Sequence, residues 1–248
     1  MNGIKRFCSL IFMIWGFVTF IAAMLLVLPF IFISSALFEG KRSSDIIFFF
    51  LNIWGWIFCL LSFYRIQTRN KAAINPDTAY IYVCNHNSYL DAVAIVLAIP
   101  GSFRPLGKIE MVKIPVFGLI YRKVVVMIDR ASKESRQRSV DELKQDLSKG
   151  QSILIFPEGT MNRSAEPLAD FYDGAFRLAI ETQTPIAPMV ILNARNLFPR
   201  SDPFAARPGV ITCVFDQPVD VSGFVPEDLE ILKASVYGKM NALIEKAV

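Results

Sequence analysis

Two long runs without a charged residue open the chain, Cys8 to Phe38 and Ile46 to Tyr64, parted by Glu39-Gly40-Lys41-Arg42-Ser43-Ser44-Asp45. The second is close to the roughly 20 residues that a membrane-spanning helix requires. The first is longer than a bilayer core needs, so it must tilt, bend at Pro29 or lie partly in the interface. Lys5 and Arg6 precede the first run, Arg65, Arg69 and Lys71 follow the second, and the loop between them is charge-balanced, a pattern that predicts both ends in the cytosol. The competing expectation is a cleaved secretory signal, with Lys5-Arg6 as its basic region and Ser34-Ser35-Ala36 as the cleavage site. The apolar run is roughly twice as long as such signals use.

Beyond a polar joint at residues 66–77 the pattern changes to short apolar runs alternating with helical periodicity. Strands are predicted over Thr78–Cys84, Val124–Ile128, Ser152–Phe156, Ile186–Ile191 and Val210–Phe215. Helices are predicted over Tyr89–Ile99, closed by Pro100-Gly101, over the charged segment Ser132–Lys149, closed by Gly150, over Gly174–Thr182, and over residues 225–247. The alternation predicts an α/β fold, a mixed and partly parallel sheet covered by helices, preceded by an N-terminal two-helix membrane motif. The expected division is a membrane-associated helical hairpin at 1–65 and a cytosolic α/β domain at 66–248. The segment Arg195 to Pro208, with three prolines, three arginines, Phe198 and Phe204, reads as a surface loop or as a lip touching membrane or ligand.

The composition is 53% hydrophobic, and the excess sits in the two N-terminal runs. The net charge of +4 is modest, although basic residues gather between Arg104 and Arg138; this suits an anionic lipid surface, a phosphate or an acidic carrier protein, and no nucleic-acid motif is present. Cys8, Cys59, Cys84 and Cys213 have no metal or redox spacing and read as small hydrophobes.

Chemistry concentrates in a few stretches. The only histidine, His86, lies in Asn85-His86-Asn87-Ser88-Tyr89-Leu90-Asp91, between a strand and a helix. Ser88 with Asp91 three residues on reads as a helix cap. Equally, Asp91 can accept the imidazole's second N–H and leave the other nitrogen basic. Phe156-Pro157-Glu158-Gly159-Thr160 follows an apolar strand, where α/β sheets place ligand groups. Val126-Met127-Ile128-Asp129-Arg130 ends a strand in an acid and an arginine, the side chain best shaped to hold phosphate in a two-pronged contact. Thr184 to Ile191 has nothing ionisable and reads as scaffold.

In order and spacing these blocks resemble the glycerolipid acyltransferase family typified by 1-acyl-glycerol-3-phosphate acyltransferases, over about Thr78 to Ile191. The resemblance implies that His86 and Asp91, matching His-x-x-x-x-Asp, are general base and orienting acid. It implies that Lys108 and Arg130 face the acceptor phosphate, and that Glu158 and Gly159 of the Phe-Pro-Glu-Gly-Thr block ending at Thr160 help seat the acceptor. The chain departs from the family pattern at Val124, where glycine is common. Met161-Asn162 come before Arg163-Ser164, so Arg163 takes the usual arginine's place only if the loop shifts. Tyr172-Asp173 stand where lysines are frequent.

The activity thus implied is acyl transfer to the sn-2 hydroxyl of lysophosphatidic acid, with acyl carrier protein or coenzyme A thioesters as co-substrate and no metal or other cofactor. The expected location is the inner membrane, with the catalytic domain on the cytoplasmic side. Oxyanion donors are expected among N–H groups at the start of the 89–99 helix. Another lysolipid, such as one with an amino-acid headgroup, or glycerol-3-phosphate remains open as acceptor, as does a non-catalytic lipid-binding protein.

Overall fold

The computed structural model describes residues 3–246. Helices α1 (Gly3–Leu37) and α2 (Gly40–Leu61) come first. They are followed by β1 (Tyr64–Arg69), β2 (Ile81–Cys84), α3 (Asp91–Ala98), β3 (Phe103–Lys108), α4 (Phe117–Val124), β4 (Val126–Ile128), α5 (Lys133–Ser148) and β5 (Ser152–Ile155). The chain ends in α6 (Gly174–Thr182), β6 (Ile186–Leu192), the short α7 (Ala194–Leu197), β7 (Gly209–Phe215) and α8 (Leu229–Glu245). The last residue of the helix expected at 225–247 lies outside the described residues.

A seven-stranded sheet in the order β1-β7-β6-β2-β5-β3-β4 organises the fold. Strands β6, β2, β5, β3 and β4 run parallel, whereas β7 is antiparallel to β6 and β1 parallel to β7. The mixed, partly parallel α/β sheet read from the sequence is therefore present. Its central strands are apolar on both faces because both are covered. Ile81 and Val83 of β2 and Ile153 and Ile155 of β5 point into a core shared with α5, α6 and α8. Tyr82, Cys84 and Leu154 point the other way, into a core shared with α2 and α3.

Three elements differ from the sequence reading. The joint at 66–77 begins with β1, an edge strand in register with β7 from Tyr64↔Gly209 to Arg69↔Val214. The stretch Phe103–Lys108 forms β3, which pairs with β5 over Phe103–Pro105 and with β4 over Leu106–Lys108. Val124, expected to open a strand, closes α4 instead, and β4 starts at Val126.

Helix α2 is built into this body. Its buried stripe of Ile47, Phe48, Leu51, Trp54, Phe58 and Cys59 recurs at helical spacing and joins the sheet core. Trp54 and Phe58 of that stripe also meet the Phe20 ring of α1 edge-on, with centroids 5.1 and 5.5 Å away, which ties the two helices together. Gly55 permits the approach to α3, since a Cβ there would lie 3.0 Å from the Leu97 side chain of that helix. Phe48 packs on Phe103 with ring centroids 4.6 Å apart, and Asp45 accepts from the Ser102 hydroxyl.

Helix α1, about 52 Å long at 1.5 Å per residue, lies along the same body. Its first turns meet residues 203–205, with Gly3, Arg6, Phe7, Leu10 and Phe204 lining a shared cleft. Further along, Phe20 meets Phe117 of α4, and Lys123 sits over the Phe32 ring. The remaining face exposes Ile11, Phe17, Val18, Leu26, Ile33 and Leu37, an apolar surface that a soluble protein would cover.

Candidate active site

The strand registers gather the candidate residues on one edge. Continuing Val83↔Ile155, Pro105↔Leu154 and Lys108↔Ile128 puts Asn85, Pro157, Lys108 and Ile128 on a single row at the C-terminal ends of β2, β5, β3 and β4. At about 4.8 Å per strand this row is roughly 14 Å long, and His86, Glu158 and Arg130 stand one or two residues beyond it.

The loop leaving β2 is tied down at every turn. Asn85, buried, replaces the missing ladder bonds to β6: its Nδ2 donates to the Ile191 carbonyl at 3.0 Å and its Oδ1 accepts from Ile191 N–H at 2.7 Å. One oxygen of Asp91, Oδ2, then accepts three hydrogen bonds at 2.8 Å each, from His86 Nδ1 and from the backbone N–H groups of Asn87 and Ser88. Asp91 is fully buried and opens α3, so the helix N-terminus favours its negative charge. The Ser88 hydroxyl donates to the Phe198 carbonyl at 3.1 Å, which fastens the loop to the segment after α7.

His86 itself is clamped by its backbone. Its N–H donates to Glu158 Oε1 at 2.7 Å, and its carbonyl accepts from Asn162 N–H at 2.6 Å. The imidazole lies on the Phe156 ring, centroids 4.2 Å apart at 21°. With Nδ1 on Asp91 and 24% of the side chain exposed, the Nε2 edge is the one left open to a substrate. That arrangement requires the tautomer with hydrogen on Nδ1 and a basic Nε2.

Glu158 is 3% exposed, and its second oxygen accepts from Ala169 N–H at 2.8 Å. Burial raises its carboxyl above the usual carboxylate range, against the pull of the two amide donors. Both oxygens are thus spent on backbone amides, which makes Glu158 a positioning residue for His86 rather than a group facing an acceptor. Gly159 adopts φ +67°, and a Cβ there would come within 2.9 Å of the Tyr172 ring and 3.2 Å of Arg130 Nη1. Its missing side chain is what lets the Arg130 guanidinium reach across from β4 to the β5 turn. Lys108, Arg130, Thr160 and Arg163 are exposed, and among the described residues none of the three cations is ion-paired.

Several contributors had no distinct sequence signal. In the sequence Phe156 is only part of a motif, yet it supplies the ring under the imidazole. Asn162, read as an intrusion, closes the loop onto His86, and Arg200 and Arg195 hold that loop by donating to the Met161 and Ser164 carbonyls. Asp173 turns away to Lys233 of α8 at 2.8 Å. The N–H groups of Asn87, Ser88, Leu90 and Asp91 are engaged by Asp91 and Ser88, which removes them from the expected oxyanion donors. Burial pushes the Cys213 thiol up to about 12 and the Cys84 thiol well above its ordinary value, so neither is a nucleophile beneath the site.

An acyltransferase family model matches residues 65–192. The chain is 29% identical over 184 residues to mouse 1-acyl-sn-glycerol-3-phosphate acyltransferase alpha, covering 73% of this chain and 64% of that protein. It is 32% identical over 155 residues to the coconut 1-acyl-sn-glycerol-3-phosphate acyltransferase, covering 62% and 50%. The Haemophilus influenzae protein of the same name is 30% identical over 168 residues, covering 66% and 68%. The chain therefore spans about half to two thirds of the length of these relatives. In fold it is similar to the crystal structure of the 1-acyl-sn-glycerophosphate acyltransferase from Thermotoga maritima, with a TM-score of 0.79 over 96% of this chain and 97% of that one at 20% identity.

Glu158→Gln keeps the shape but presents one amide N–H to a backbone N–H of His86 or Ala169. Leaving a buried donor unmet costs about 1–3 kcal/mol, so the melting temperature is expected to fall by roughly 3–10 °C. Because the folded Glu158 value is raised, its contribution is fully present below the unfolded value and is lost as pH rises through the folded one. Calorimetry across that range should show this slope in the wild type and not in Glu158→Gln.

Proposed function

The chain belongs to the acyltransferase family, and from that premise we propose that it transfers a fatty acyl group from a thioester to the sn-2 hydroxyl of 1-acyl-glycerol-3-phosphate, giving phosphatidic acid. The observation that carries this reading is the His86 imidazole, held at Nδ1 by a buried carboxylate and open at Nε2, at the head of a row that ends in Lys108 and Arg130, neither ion-paired among the described residues. Nε2 takes the hydroxyl proton as the oxygen attacks the thioester carbonyl. The C–S bond then breaks, and the departing thiolate takes the proton from the imidazolium. Asp91 stabilises the imidazolium in between, as a buried charge-assisted pair should.

The acceptor phosphate is assigned to Arg130 and Lys108, with Gly159 giving the Arg130 guanidinium room to reach the β5 turn and Thr160 and Arg163 at the rim. A two-pronged guanidinium contact fixes both the charge and the orientation of the phosphate. Acyl carrier protein or coenzyme A supplies the thioester, which is already activated, so this chemistry calls for no metal or further cofactor.

The two apolar helices support association with a membrane, and the location proposed is the inner membrane with the catalytic domain on the cytoplasmic side. The docking of α1 at both its ends to the α/β body favours a helix pair embedded in one leaflet over one that crosses it. The site then opens at headgroup level, where both the lipid acceptor and a cytosolic thioester can reach it.

One observation favours a second acceptor reading. Tyr172 and Asp173 bring no cation to the headgroup end, Tyr172 being 70% exposed over Gly159 and Asp173 paired with Lys233. A lysolipid with less negative charge, including one with an amino-acid headgroup, suits that environment.

Detergent-solubilised protein given labelled acyl thioester and a panel of lysolipids separates these readings. The expected result is phosphatidic acid formation, slower by about 10²–10⁴ in His86→Ala. Turnover of a different lysolipid alone would move the assignment to that headgroup, and equal rates in the variant would remove His86 from the reaction. For the membrane arrangement, Ser44→Cys in a Cys8→Ser background should react with an impermeant maleimide only from the cytoplasmic side. Reaction from the opposite side would restore the two-span hairpin.

A further inference from the structure

The segment from β3 to β4 presents a face that no other part of the described chain covers. A 3-10 turn, Ile109–Lys113, leads through Ile114 and Pro115 into α4. Along it Ile109, Ile114 and Leu119 are 43%, 42% and 45% exposed. Leu119, Arg122 and Lys123 share one helical face, and Lys113 is exposed on the preceding turn. None of Lys113, Arg122 and Lys123 is ion-paired among the described residues, and Glu110 is the single acid between Lys108 and Val124.

We infer that this face is a second membrane-docking surface, which seats Ile109, Ile114 and Leu119 at the acyl boundary of an anionic leaflet while Lys113, Arg122 and Lys123 engage its headgroups. Two features select a lipid surface over an acidic protein. Apolar side chains alternate with the cations, the pattern of an interfacial segment. The face also adjoins the exposed apolar side of α1, since Lys123 lies over the ring of the exposed Phe32. Arg104, the other basic residue near this strand, takes no part, since Glu142 and Asp146 hold it at 2.6 and 3.6 Å. Lys108 ends β3 on the catalytic edge and immediately precedes this surface, so docking here sets the mouth of the site against the leaflet that holds the acceptor. The inference rests on the leaflet-embedded reading of α1 and α2.

The test places an environment-sensitive fluorophore on Leu119→Cys in a Cys8→Ser background of the full chain, reconstituted in phosphatidylcholine vesicles with or without phosphatidylglycerol. The readout is independent of acyl transfer, so it stands apart from the fate of the proposed reaction. The expected result is a blue-shifted emission with phosphatidylglycerol, quenched by spin-labelled lipid and weakened by salt. Adding Lys113→Glu, Arg122→Glu and Lys123→Glu should weaken the lipid quenching at least about fivefold, with the melting curve confirming the fold. Emission that is unshifted in both lipid mixtures, or a shift that ignores salt and charge reversal, overturns the inference. A shift that arises only on adding acyl carrier protein overturns it too, by assigning the face to that partner.

Discussion

A single buried oxygen, Asp91 Oδ2, receives the imidazole N–H and two backbone N–H groups, and the chemistry of the site depends on that convergence. A carboxylate taken out of water is costly unless donors replace its hydration. Here the donors are the loop that must be held still and the ring that must be oriented. The amides that Asp91 holds, those of Asn87 and Ser88, precede α3, and Leu90 at the N-cap position has no side-chain cap, so this oxygen fixes the loop and the ring and does not cap the helix. The five-residue spacing from His86 to Asp91 is what a loop needs to leave β2, turn once and meet its own side chain at the first residue of α3.

The rest of the edge is arranged around that loop. Parallel strands end at one level, so residues distant in sequence fall on a single row. Glu158 and Asn162 then grip the two sides of the His86 peptide, and Phe156 supports its ring. Across the sheet, α2 adds a layer to the core, which couples the apolar N-terminal pair rigidly to the catalytic edge. That rigidity fixes where the site stands relative to whatever surface α1 enters.

The elements that were legible in the sequence are those whose burial is uniform. Strands β2, β5 and β6, covered on both faces, read as apolar runs, and α5 declared itself by its Ser132 cap, whose hydroxyl accepts from Ser135 N–H. The elements that escaped are half-covered or interrupted. Strand β1 places Arg65, Gln67 and Arg69 on alternate positions of a sheet edge, where polarity is expected but resembles a linker. In β3 Arg104, Pro105 and Gly107 break the pattern, and Pro105 is tolerated in the half of the strand that β4 does not reach. Helix α4 follows a tight turn at Val116, φ +63°, that no residue there advertises. At the site, His86 and Asp91 are close in sequence and were readable. The tie between Glu158 and His86 joins residues 72 apart through a backbone amide, which leaves no trace in residue type.

Because His86 is the only histidine in the chain, its ring nitrogens can be observed without assignment, by nitrogen-15 spectroscopy of histidine-labelled protein. The account predicts, for neutral His86 in the wild type, hydrogen on Nδ1 and a bare Nε2, and loss of that preference in Asp91→Asn, whose side chain can turn an N–H towards the ring. Hydrogen on Nε2 in the wild type, or an unchanged tautomer in Asp91→Asn, would contradict it.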